Sequence, residues 1–130
     1  MLTSVATGLG GLIGVAVVLM GVRAFWAPQA AVGFGIPGTP TQDRAFRAWL
    51  AVKAVRDLVC GVVVLVLVFP VLVLGDPPHL LGWYLLITAG IPVGDALIVL
   101  RSGGSRAAAY GIHGATAAVM LTTSVLLLVG

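Results

Sequence analysis

The sequence predicts an all-α fold: a four-transmembrane-helix bundle with both termini on the non-cytoplasmic side. Three observations predict it. Hydrophobic residues make up 60% of the chain and charged residues only 8%, and the mean hydropathy is +1.17. A soluble domain of this size needs a more polar surface. The apolar residues fall into runs long enough to cross roughly 30 Å of hydrocarbon, which takes about 20 helical residues. Short segments rich in Gly, Pro and Arg separate the runs. The length allows one integral membrane domain, residues 1–130.

The first helix covers about residues 4–24 and closes at Gly21-Val22-Arg23. No basic n-region precedes it, which argues against a cleaved signal peptide. Trp26-Ala27-Pro28 through Gly38-Thr39-Pro40 reads as a loop. The second helix, 44–74, starts amphipathically near Arg44, turns purely apolar after Asp57 and stops at Gly75-Asp76-Pro77-Pro78. The third covers 80–100. Arg101-Ser102-Gly103-Gly104-Ser105-Arg106 forms a tight turn, and the fourth covers 107–129.

Orientation follows from the basic residues. Arg23, Arg44 and Arg47 border the first loop, and Arg101 and Arg106 border the third. The N-terminus and the second loop carry no Lys or Arg. The positive-inside rule then puts loops one and three in the cytoplasm of a multi-pass plasma-membrane protein. Trp26, Trp49 and Tyr110 fall near the inner interface, and Trp83 and Tyr84 near the outer one, as interfacial aromatics do.

The costly residues are Lys53, Arg56, Asp57, Asp95 and His113. Each lies inside or at the edge of a span, where a charge costs roughly 2.5–3.5 kcal/mol at mid-membrane. Asp95 lies about 9 Å along its helix from Arg101, and His113 about 10 Å from Arg106. All five therefore converge on the cytoplasmic leaflet. Two cations and two carboxylates make a formally neutral set, as a low-dielectric site requires. His113 is the group best placed to change protonation near neutral pH. Lys53 and Arg56 can also simply snorkel to the headgroups, a role the short Asp57 side chain cannot share. Asp95 can serve merely to pair with Arg56. It follows Pro92, which removes a backbone donor and favours a kink.

At about 100° per residue, Trp49, Lys53, Arg56, Asp57 and Cys60 share one arc of the second helix. Tyr84, Thr88 and Asp95 share a stripe on the third. His113, Thr116, Met120 and Ser124 share one on the fourth. Such stripes are expected to face the bundle interior, with Tyr84, Thr88, Thr116, Met120 and Trp49 as ligand-binding candidates. Thr3, Thr7, Gly10, Gly14 and Gly21 give the first helix a face of small residues, and Gly90–Gly94 repeats the GxxxG spacing. These faces leave internal packing and a homo-oligomer both open.

Several function classes are excluded. Seven basic residues spread over membrane boundaries make no nucleic-acid groove. The lone Cys60 permits no intrachain disulfide and no CxxC site. His113 lacks a second buried His, so no metal site is expected. No P-loop, GxSxG, HExxH or dinucleotide fingerprint is present, and Gly33-Phe34-Gly35 follows no strand. No cofactor is expected.

Lys53-Ala54-Val55-Arg56-Asp57 with Gly61, then Pro92-Val93-Gly94-Asp95-Ala96, then His113-Gly114-Ala115-Thr116-Ala117, stand in an order that resembles the domain of unknown function 4267 family. The resemblance covers nearly the whole chain, including Gly33–Pro37. It implies a four-helix membrane fold in which these elements belong to one site, and it implies no activity.

Three readings remain for the function. The leading one is an intramembrane isomerase, cyclase or hydrolase acting on a lipophilic small molecule. Asp95 and His113 would be its acid/base pair, Lys53 and Arg56 would stabilise negative charge, and Asp57 would orient them. The second is a small proton-coupled transporter using Asp95, although transporter sites usually lie at the midplane. The third is a non-catalytic, lipid-binding subunit. Expected partners are membrane lipids and the lipophile.

Overall fold

The computed structural model describes residues 1–130. Four helices are long and apolar enough to cross a membrane: α1 (Leu2–Trp26), α2 (Arg44–Leu74), α3 (His79–Arg101) and α4 (Arg106–Val129). Local chemistry fixes where two of them begin. The Asp43 carboxylate accepts a hydrogen bond from the Phe46 backbone N–H (2.7 Å) and caps α2. The Ser105 hydroxyl oxygen accepts one from Ala108 N–H (3.1 Å) and caps α4.

Three of the four helices are irregular inside. The last turns of α2, Pro70–Leu74, and an inner segment of α4, Ala109–Gly114, are π-helical. In α3 the helix is interrupted at Ala89, between Thr88 and Gly90. Pro92 supplies the cause, because it has no N–H to offer the Thr88 carbonyl one turn earlier. The first connection is also more ordered than a loop: Pro28–Phe34 forms a 3-10 helix directly after α1.

The helices pack as two hairpins. α1 lies most extensively against α2, α3 against α4, and α1 also touches α4. The small residues of α1 are spent on these contacts. Gly14 and Gly21 face α2, where a Cβ at Gly21 would stand 2.8 Å from the Ala54 carbonyl oxygen. Gly10 faces Leu81 and Leu85 of α3. Gly90 and Gly94, by contrast, face open space.

One hydrophobic core joins all four helices in the half away from the Arg-bordered loops. It includes Ala6, Val64, Leu81, Leu85, Met120 and Leu127. A smaller core of Ala96, Val99 and Ala109 lies at the basic end and takes in Phe34 and Ile36 from the first connection. Large apolar side chains such as Leu12, Val66, Ile87 and Leu97 stand exposed around the outside, a surface suited to hydrocarbon and unsuited to water.

The α3–α4 hairpin is also pinned by a polar contact. The buried Ser124 hydroxyl donates to the Gly82 carbonyl at 2.8 Å. Hydrogen bonds between helices in a bilayer average about 0.6 kcal/mol and reach about 1.7. Ser124→Ala is expected to lower stability within that range, read as a small fall in the unfolding midpoint in mixed micelles.

Candidate functional site

Lys53, Asp57, Asp95 and His113 gather at the basic end of the bundle, and they do so around a residue from the first connection. Lys53 Nζ and Asp57 Oδ2 stand 2.5 Å apart along α2, as i and i+4 positions allow. His113 is buried on α4, and its Nδ1 lies 3.9 Å from Asp95 Oδ2 on α3. Lys53, His113 and Asp57 are all near enough to Asp95 to act on it electrostatically.

Phe34 links the two pairs. Its ring centroid lies 4.4 Å from that of His113, tilted by 53°. Lys53 Nζ stands over the same ring, 5.6 Å from its centroid, within the range of a cation–π contact. The Phe34 carbonyl oxygen is 2.8 Å from His113 Nε2. A carbonyl only accepts hydrogen bonds, so His113 Nε2 carries a proton there. The nitrogen left facing Asp95 is Nδ1.

The next residue explains how the chain can bring Phe34 against His113. Gly35 takes φ +100, and a Cβ there would stand 2.6 Å from Ala108 Cβ. Only glycine meets both demands at once. The third loop completes the seat, since a Cβ at Gly104 would run into the Gly35 carbonyl oxygen. Loops one and three are therefore locked together under the polar cluster.

The sequence model of a domain of unknown function, DUF4267, matches residues 14–127. The chain belongs to the DUF4267 family. The matched stretch holds every residue of the cluster, Phe34, Gly35 and Gly104. No curated protein and no solved structure matches the chain.

Not every residue singled out in this DUF4267 sequence joins the cluster. Arg56 and Trp49 are exposed, Trp49 to 72%. The expectation that the whole α2 arc faces inward is corrected, for a simple geometric reason. The arc is wide, and its buried flank runs along Ala54, Gly61, Val64 and Val68. Asp57 lies beside that flank, whereas Trp49 and Arg56 lie at the opposite edge. Asp95 consequently has no ion pair with Arg56.

The α4 stripe is corrected in the same way at Thr116. It is exposed and donates to the Ile112 carbonyl of its own helix (2.8 Å). It lines a groove of about 440 Å³ open between α1 and α4. Met120 packs in the main core and lines the same groove as Thr116. On α3, Thr88 donates to the Tyr84 carbonyl (2.7 Å), and the Tyr84 hydroxyl donates to the Cys60 carbonyl (3.4 Å). Of the five ligand-binding candidates, Thr116 and Met120 meet at that groove, and Trp49, Tyr84 and Thr88 are not part of its lining.

Phe34 is the participant that sequence reasoning missed. Periodicity says nothing about a residue between spans. The usable signal was the pair of small residues on either side of it: a glycine-flanked aromatic next to a span boundary can be drawn under a bundle.

Proposed function

We propose that this DUF4267 protein is a plasma-membrane acid/base enzyme acting on a lipophilic small molecule, with loops one and three in the cytoplasm. One observation carries the reading: His113 has its Nε2–H committed to the Phe34 carbonyl (2.8 Å) while Nδ1 faces the Asp95 carboxylate (3.9 Å). A histidine held in one tautomer beside a carboxylate is an arrangement that moves protons.

Charge balance supports the same reading. Lys53 and Asp57 cancel each other as an ion pair. A single proton on the Asp95–His113 pair then makes the four side chains neutral overall, the arrangement a low-dielectric site favours. That proton can rest on Asp95 or on His113 Nδ1, and its exchange is the acid/base step. Lys53, with its side chain 42% exposed, is the cation left to stabilise developing negative charge, because Arg56 points away. Asp57 holds Lys53 in place. Isomerisation, cyclisation and hydrolysis all need no more than this set.

The test uses the protein in nanodiscs made from its own membrane, incubated with the apolar extract of that membrane and followed by mass spectrometry. The wild type is expected to convert at least one component, and Asp95→Asn to leave it unconverted. Equal conversion by both, or by neither, overturns the reading. Uptake of a lipophile coupled to a proton gradient and lost in Asp95→Asn would instead establish a transporter.

A further inference from the structure

We infer that the first connection is a positioning element for His113: docking of Phe34 decides which imidazole nitrogen carries the proton. The functional meaning rests on the acid/base reading above, while the tautomer itself rests on geometry.

A neutral imidazole has one N–H and one bare nitrogen. Two acceptors compete for that N–H, the Phe34 carbonyl at 2.8 Å from Nε2 and the Asp95 carboxylate at 3.9 Å from Nδ1. Only the first is within hydrogen-bond distance. With the loop docked the proton is on Nε2, and the basic nitrogen is Nδ1, turned toward Asp95. With the loop undocked Nε2 loses its acceptor, and Asp95 is the one that remains. The proton then sits on Nδ1, and the basic nitrogen becomes Nε2, turned toward the vacated seat of Phe34. The charged groups near the ring are Asp95 on α3 and the Lys53–Asp57 pair on α2. Docking therefore relocates the base from one side of the imidazole to the other.

The seat is built to close firmly and to be opened by small changes. Phe34 is held on two sides, by the imidazole at 4.4 Å and by Lys53 at 5.6 Å. Gly35 at φ +100 lies against Ala108, and Gly104 lies against Gly35. A methyl group at Gly35 is both strained and blocked. The loop is a positioning element with no need to touch a substrate.

The experiment is ring-nitrogen NMR of the full-length protein in nanodiscs, labelled with 15N-histidine and read at about pH 8.5, above the ordinary histidine range near 6.5. His79, the other histidine, is identified by its disappearance in His79→Gln. The wild-type His113 ring is expected to be protonated at Nε2 and bare at Nδ1. Phe34→Leu keeps the carbonyl and is expected to keep that pattern. Gly35→Ala is expected to make the Nδ1–H form the major species. Should Gly35→Ala not fold, Phe34→Gly takes its place, since it removes the whole apolar side chain that seats the loop, whereas Leu retains one. A wild-type ring protonated at Nδ1, or a displaced-loop variant with wild-type shifts, overturns the inference. Absence of any turnover would sink the acid/base reading and leave these spectra unchanged, so the two failures are distinguishable.

Discussion

Gly61→Val is expected to part α1 from α2. A Cβ at position 61 would stand 2.8 Å from the Gly14 carbonyl oxygen and 2.8 Å from the Val18 nitrogen. Both are helix backbone atoms, which cannot swing aside as a side-chain end can. The helices must separate, and separation forfeits the close backbone approach on which helix association in lipid depends. Overpacking a well-filled interior costs about 1–3 kcal/mol, and a clash with backbone belongs at the top of that range. Gly8→Val is the matched control. It lies on α1 with nothing near its Cβ position, and losing a helix-interior glycine there is expected to be neutral or slightly favourable. Unfolding of both variants in mixed micelles checks the pair: a large fall in midpoint for Gly61→Val and none for Gly8→Val.

The second large effect concerns the proton pair. Asp95→Asn and His113→Gln are each expected to lower turnover by about 10²–10⁴, the usual worth of general acid/base catalysis. The double variant is expected to fall no further than the worse single one, because residues acting as a unit are not additive. Stability is the second readout. A carboxylate kept for chemistry is a burden on the fold, so Asp95→Asn is expected to unfold at the wild-type midpoint or above it. A scaffold whose polar set merely holds helices together would show the opposite, with both variants unfolding early. Turnover of the extract component and the micelle unfolding midpoint are the two measurements.

The architecture was open to reading because two signals of great strength agree. Runs of Val, Leu and Ala near 20 residues admit few folds in a chain with 8% charge, and the breakers at Pro77-Pro78 and Ser102–Ser105 mark where the chain turns. The partner of Asp95 was not open in that way. Helical periodicity ranks positions around an axis, but does not say which flank of a wide arc is buried. Arg56 and Asp57 are neighbours in sequence, and only the packing along Ala54, Gly61 and Val64 separates them. The π-helical turn at Ala109–Gly114 shifts the phase of α4 just where His113 and Thr116 were compared. Phe34 was hidden for a different reason. Its role depends on its contact with His113 and on Gly104 lying against its neighbour Gly35, both far along the chain, and no local pattern encodes a contact of that span.

That span bears on how the protein is made. A ribosome releases about 5–20 residues per second and domains form from the N-terminal side onward. The glycine contacts between α1 and α2 involve nothing beyond Val68, so the first hairpin can close while the rest of the chain is still being synthesised. Phe34 has by then emerged without its hydrogen-bond donor His113 on α4. Its seat exists only after Gly104, Ala108 and His113 have been delivered. A nascent chain truncated before α4 would therefore carry a finished hairpin and a first connection held only from the α2 side by Lys53, more open to a protease than in the complete protein.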